Sequence, residues 1–186
     1  MNTLIDKIKN NTYESNTLKF KNVIDIKELC DALKTKFYIT SLDLSYNKLN
    51  EEGIRYLSET LKVNSSITSL NLSHCCSNDE RIRYLSEALK VNESITTLDL
   101  STNAIKKEGI IYLNEALTVN SSITSLDLGH NFIKNEGIRY LSETLKVNSS
   151  ITSLNLRGNF ITIEGTKHLS EALQSNTTLT DLSFNI

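Results

Sequence analysis

The most reactive side chains in this sequence sit together at His74-Cys75-Cys76, with Asp79 and Arg81 just behind them. An imidazole beside two thiols suggests a soft-metal site, or a nucleophile with its base. The spacing argues against both. Successive residues of an extended chain point to opposite sides, so adjacent Cys75 and Cys76 cannot both converge on one ion. A closed zinc site needs about four ligands, and no further Cys or His pair stands at ligand spacing. Cys30 has no histidine near it in sequence. No catalytic residue, metal or cofactor is therefore expected, and three cysteines, two of them neighbours, make no disulfide framework.

The elements that position this cluster are written as a repeat. One 28-residue unit runs five times from Ile39 to Thr178, opened by Ile39, Ile67, Ile95, Ile123 and Ile151, and Leu179 opens a sixth that stops at Ile186. In Ile39-Thr-Ser-Leu42-Asp-Leu44 the apolar residues alternate, which predicts a strand with Leu42 and Leu44 inward and Ser41, Asp43 and Ser45 outward. Ile54, Leu57 and Leu61 follow at spacings of three and four, the signature of one helix face. Strands that recur in one direction with a helix between them pair in parallel. Strands stack about 4.8 Å apart and helices about 8–10 Å apart, so the stack bends with its sheet inside. The expected fold is an α/β solenoid, a short horseshoe with a parallel inner sheet and outer helices.

Residues 1–38 are irregular. Leu4, Ile5 and Ile8 fit a short helix, Leu18, Phe20 and Val23 a degenerate strand, and Ile26, Leu29 and Leu33 a second helix with Asp25 and Glu28 as its capping pair. Terminal units of a solenoid must cover an apolar face, so 1–38 is read as an N-terminal cap with a degenerate repeat. Residues 39–186 are read as five repeats plus a final strand, all one structural domain.

The frame Leu42-x-Leu44-x-x-Asn47-x-Leu49-x-x-x-Gly53-x-x-x-Leu57-x-x-x-Leu61 resembles the leucine-rich repeat of the ribonuclease-inhibitor type, and it covers residues 39–186. The resemblance implies a protein-binding horseshoe. It also implies that Asn47, Asn103, Asn131 and Asn159 are buried amides bonded to adjoining turns, and that Cys75, in the same column, is a structural substitute. Similar repeats occur in effectors of intracellular bacteria, which would place the chain in a host cytosol. They also build the activator of the Ran GTPase, for whose role only Arg81 or Arg157 offers a candidate here. The ubiquitin-ligase effectors carry a separate catalytic domain for which no residues remain.

Several recurring positions have bland explanations. Asn64, Asn92, Asn120, Asn148 and Asn176 each begin an N-x-[ST] glycosylation sequence, yet they follow a helical segment, where Asn takes the left-handed C-cap conformation. Tyr56, Tyr84, Tyr112 and Tyr140 are expected to pack between helices. Arg55, Glu59 and Lys62, with their equivalents, read as a solvated face. Ile111 stands out as an exposed apolar residue. The second unit departs most, with Ser77 where others have Leu or Ile and Arg81 where others have Gly, the residue best able to take a positive φ.

What remains is the outward surface of the sheet. The expected partner-binding residues are Asp43, Tyr46, Asn71, His74, Asp99, Asp127, His130 and Arg157, joined on the rim by Cys76, Asp79 and Arg81. His130 lies two units from His74, about 10 Å along the sheet. Asp99 and Asp127 fall on neighbouring strands, a like-charge placement that a basic partner would relieve. Five or six strands give about 300–400 Å² of sheet, less than the roughly 800 Å² per partner of a standard interface, so rim loops or self-association must contribute. Leu182, Phe184 and Ile186 form a bare edge through which pairing with a second copy, as a homodimer, or with a partner is expected.

With 20 basic and 22 acidic residues the net charge is −2, which gives no general attraction to nucleic acid or an anionic membrane. No apolar run reaches membrane-spanning length, and the N-terminus shows no apolar signal core, so the expected compartment is a reducing cytoplasm. The leading expectation is a non-catalytic protein-interaction module. The alternatives are a self-assembling structural protein and a GTPase-activating regulator.

Overall fold

Alternating apolar residues place the strands where the spacing predicts. The computed structural model describes residues 3–10, 12–20, 26–76 and 78–186; Val23, Asp25 and Ser77 lie outside them. Among the described residues seven short strands form one sheet: β1 Thr17–Lys19, β2 Ser41–Asp43, β3 Ser69–Asn71, β4 Thr97–Asp99, β5 Ser125–Asp127, β6 Ser153–Asn155 and β7 Asp181–Ser183. They lie in chain order and all neighbours are parallel. The register repeats without slip, Ser41 opposite Ser69, Ser69 opposite Thr97 and Thr97 opposite Ser125. Seven strands make the sheet about 29 Å wide.

The helices are α1 Thr3–Lys9, α2 Ile26–Leu33, α3 Glu51–Leu61, α4 Asp79–Leu89, α5 Lys107–Val119, α6 Lys134–Val147 and α7 Ile163–Leu173. Each packs on the next, forming the outer layer of the α/β solenoid. The core is the seam between layers. Leu42, Leu44, Ile54, Leu57 and Leu61, with their equivalents Leu70, Leu72, Ile82, Leu85 and Leu89, are buried, each stabilising by about 1.5–3 kcal/mol relative to exposure. No helix among the described residues is long and apolar enough to cross a membrane.

Two ladders of buried asparagine tie the units together. Asn103 donates from Nδ2 to Leu72 O at 2.8 Å and accepts from Cys75 N and Cys76 N at 2.8 and 2.6 Å. Asn47, Asn131 and Asn159 donate in the same way to Phe20, Leu100 and Leu128 carbonyls. Cys75, in that column, donates its thiol to Leu44 O at 2.7 Å. The second ladder corrects the expected capping conformation. Asn120 and Asn148 are extended, with φ −77° and −73°, not left-handed. Asn64, Asn92, Asn120, Asn148 and Asn176 each donate from Nδ2 to a carbonyl late in the preceding unit's helix, Leu33, Leu61, Leu89, Leu117 and Leu145, at 2.7–2.9 Å. Their Oδ1 atoms accept from backbone N–H groups two and three residues on, as Asn64 does from Ser66 and Ile67. The side chain is thus held inside the turn, and the nitrogen a glycan would need is occupied in the fold.

The glycine column has a different cause from the one expected. None of Gly53, Gly109, Gly137 and Gly165 has a positive φ; each lies in the first turn of a helix. A Cβ would meet Ile105 Cγ2 at 2.8 Å from Gly109, Ile133 Cγ2 at 2.5 Å from Gly137 and Ile161 Cγ2 at 2.9 Å from Gly165. Close packing excludes a side chain there. Two further expectations are corrected by burial. Ser45 and Ser73 are buried behind the turns that follow their strands, and Ile111 is half-buried on α5.

Candidate protein-binding surface

Strands β2 to β6 exit through a tight turn that the repeat builds in the same way. Tyr46, His74, Thr102, His130 and Gly158 hold φ between 54° and 69° at one unit position, and only the last is glycine. The residue three earlier holds this bend. Asp43 accepts from Ser45 N, Asn71 from Ser73 N, Asp99 from Ser101 N and Asp127 from Gly129 N, at 2.7–2.9 Å, and Asn155 does the same for Arg157 N at 3.0 Å. Asp and Asn alternate freely in this column because both offer the same acceptor.

That chemistry alters the reading of the two adjacent aspartates. Asp99 also accepts from Ser101 Oγ at 2.7 Å, and Asp127 receives Asn155 Nδ2 at 3.0 Å. Both carboxylates therefore have donors within the fold. Asp43 forms an ion pair with Lys19. Its burial pushes the carboxyl up, but hydrogen bonds from Lys19 and Ser45 outweigh that and hold it below the usual range. The sheet surface is half-buried, small and hydrogen-bonded to itself.

The left-handed turn throws its own side chain outward. Tyr46 is 69% exposed and stacks on His74, ring centroids 4.3 Å apart and planes 15° apart. His130 is exposed and lies against Gly158, where a Cβ would meet its Nδ1 at 2.6 Å. Arg157 is exposed at the far end of this row. Beside the first pair opens a cleft of about 490 Å³ lined by Lys48, Asn50, His74, Arg81, Thr102 and Ala104, among others.

The rim residues divide. Asp79 opens α4 and accepts Lys106 N at 2.8 Å, and Arg81 is half-buried, its own N–H bonded to the cap Asn78 at 3.1 Å. Cys76, expected on the rim, is buried instead, because Asn103 draws its backbone inward, and it contributes only to the wall of the cleft. Burial pushes the thiols of Cys76 up to about 12 and of Cys75 and Cys30 up to about 11. The structure thus separates His74 from the thiols beside it, sending one outward and two inward. At the other end Leu182 is half-buried, while Phe184 and Ile186 are exposed.

One feature is absent from the expected site. Phe132 and Phe160 are 44% and 63% exposed and stack on each other at 5.6 Å, 10° from parallel, on the strand-exit rim of the fourth and fifth units. Their column carries Lys48, Cys76 and Ala104 in the earlier units, and the switch from polar or small residues to Phe is the sequence signal that marks them.

Comparison with known proteins agrees with this architecture. A family model described as Leucine Rich repeat matches residues 35–58, 63–80, 91–113, 119–142 and 147–169, together more than half of the chain. No curated protein sequence matches. Among solved structures, leiomodin-1 actin-binding site 2 superposes with a TM-score of 0.65 at 25% identity, covering 69% of this chain and 77% of that one. The tropomodulin C-terminal domain of Caenorhabditis elegans gives 0.59 at 19% identity, covering 94% and 91%. The leucine-rich repeat protein LegL7 of Legionella pneumophila gives 0.51 at 19%, covering 86% of this chain and 60% of that one. With its parallel strands, outer helices and buried asparagine ladder, the chain belongs to the leucine-rich repeat family, in its ribonuclease-inhibitor-like form.

Proposed function

We propose that the chain is a non-catalytic protein-binding module that engages its partner through the strand-exit turns and the adjoining concave sheet. The observation that carries this reading is the exposed Tyr46–His74 stack beside the cleft of the second unit. An aromatic held rigidly on a bent backbone is the kind of anchor that dominates interfaces, whereas small hydroxyl residues serve mainly for fit. Asp43, Asn71, Asp99, Asp127, His130 and Arg157 supply the polar surround, and Asp79 and Arg81 the rim. The sheet alone is too small for a standard interface, so the partner must reach these loops. The segment before β2 acts as the cap of the array, with β1 pairing to β2 and α2 packing on α3.

A non-catalytic role suits the thiols, which burial keeps protonated. Actin is the first defined partner to test, because the matched leiomodin segment is an actin-binding site. Cosedimentation with actin filaments, and anisotropy with labelled monomer, should show binding that Tyr46→Ala with His74→Ala weakens about tenfold or more. No binding would remove actin. Binding to any defined partner that ignores both this pair and Asp99→Asn with Asp127→Asn would reject the surface.

Self-association is a second reading, favoured by the exposure of Phe184 and of Ile186 at 76%. Sedimentation velocity of the wild type against Phe184→Ser with Ile186→Ser tests it; a monomer at all concentrations rejects it. A GTPase-activating role through Arg81 or Arg157 predicts faster GTP hydrolysis in the presence of the chain, and no stimulation rejects it.

A further inference from the structure

We propose a second docking site on the strand-exit rim of the fourth and fifth units, built on Phe132 and Phe160 and shaped for an acidic protein segment with apolar anchors. Exposed apolar residues are common, and some here belong to the repeat: Val63, Val91, Val119 and Val147 recur at one position of four units, 59–65% exposed. Phe132 and Phe160 do not. Their position is held by Lys48 and Ala104 in other units, so the fold makes no demand for an aromatic there. Phe160 keeps a φ of 57°, as Ala104 does, which shows that alanine serves the same backbone.

The two rings stack on each other rather than on the core. A prestacked pair loses little freedom when a partner covers it. Beside it lies a cleft of about 300 Å³ lined by Lys106, Lys107, Phe132, Ile133, Lys134 and Glu136, among others.

Charge identifies the occupant. The cleft carries Lys106, Lys107 and Lys134 against Glu108 and Glu136, and both carboxylates lie on one ammonium, that of Lys107, at 3.7 and 3.0 Å. Lys106 and Lys134 line the cleft, are exposed and, among the described residues, form no ion pair. An apolar patch bordered by unpaired cations is complementary to a segment with two apolar anchors and flanking Asp or Glu. This site stands apart from the Tyr46–His74 end, so either can fail without the other.

The test is a selection of random 16-residue peptides displayed against the intact chain, followed by anisotropy with the enriched peptides made synthetically. Enrichment of acidic peptides carrying aromatic or aliphatic pairs is expected. Phe132→Ala with Phe160→Ala should weaken them about tenfold or more, and Lys106→Glu with Lys134→Glu by a similar factor that shrinks in high salt. Tyr46→Ala with His74→Ala should leave them unchanged, and circular dichroism should show all variants folded. Enriched peptides that are neutral or basic, peptides that bind the alanine pair equally, or no enrichment at all would overturn the proposal. A dimer of the wild type that the alanine pair abolishes would also overturn it, by showing that a second copy occupies the site.

Discussion

The concave sheet and the strand-exit rim are made from the same units, yet they use their side chains in opposite ways. On the sheet, polar groups serve the fold: each Asp or Asn of the second outward column holds the turn two residues ahead of it. On the rim, Tyr46, His74, Phe132 and Phe160 project from the bend and touch mainly one another. A surface whose polar groups are satisfied internally offers a partner shape and little else. Rim aromatics, which the fold does not require, are where binding energy is available.

Asn103→Ala puts the largest strain on this contrast. Asn103 accepts from two backbone amides of the second unit and donates to Leu72 O, all buried. Leaving those groups unsatisfied should cost about 3 kcal/mol in urea unfolding, whereas Phe132→Ala should cost less than about 0.5 kcal/mol. Equal costs would erase the distinction between ladder and rim.

Gly109→Ala comes next. Its Cβ would meet Asp79 Oδ1 at 2.5 Å and Ile105 Cγ2 at 2.8 Å, so overpacking should destabilise by about 1–3 kcal/mol although Ala is the better helix former. The second unit carries Arg81 in this column together with Ser77 in the isoleucine column. These departures should be coupled. In a double-mutant cycle Ser77→Ile and Arg81→Gly should each be worse alone than together, with an interaction of about 1 kcal/mol. Strict additivity would show the two changes to be independent.

Asp127 separates charge from turn-holding. Asp127→Asn keeps an acceptor for Gly129 N, as Asn71 and Asn155 do for their turns, and should be near neutral, whereas Asp127→Ala should lose about 1 kcal/mol. Asp43 adds a pH dependence. Its folded carboxyl lies below its unfolded value, so it stabilises above the unfolded pKa of about 3.9, and that contribution fades as acid titrates the folded group. Asp43→Asn should therefore flatten the fall in stability below about pH 4. An unchanged acid limb would remove the Lys19 pair from the account.

Periodicity makes the architecture legible, because a strand face and a helix face must each recur once per unit. The buried Asn47 column and its thiol substitute Cys75 are legible for the same reason. What escapes is whatever depends on the neighbouring unit. An asparagine that caps its own helix and one that reaches the preceding helix look alike in one dimension, so Asn64 and its equivalents invite the left-handed reading. A glycine needed for a bend and one needed for close approach are equally indistinguishable, and only the distance from Gly137 to Ile133 decides. Phe132 and Phe160 lie in a column whose other members are polar, small or buried, so no periodic rule selects them. Their stacking appears only when adjacent units are placed side by side.

The smallest effect concerns the most reactive side chains. Thiolate is the reacting form, and a thiol near 12 has only about one part in ten thousand ionised at pH 8. Cys75 is further held by its bond to Leu44 O, and Cys76 lies behind the turn that sends His74 outward. A disulfide-exchange reagent at pH 8 should therefore label none of Cys30, Cys75 and Cys76 in the folded chain, and all three once urea unfolds it. Fast labelling of Cys76 in native buffer would show that the second-unit rim opens readily. It would then be a mobile surface, unlike the sheet beside it, and the rigid Tyr46–His74 anchor would have to be abandoned.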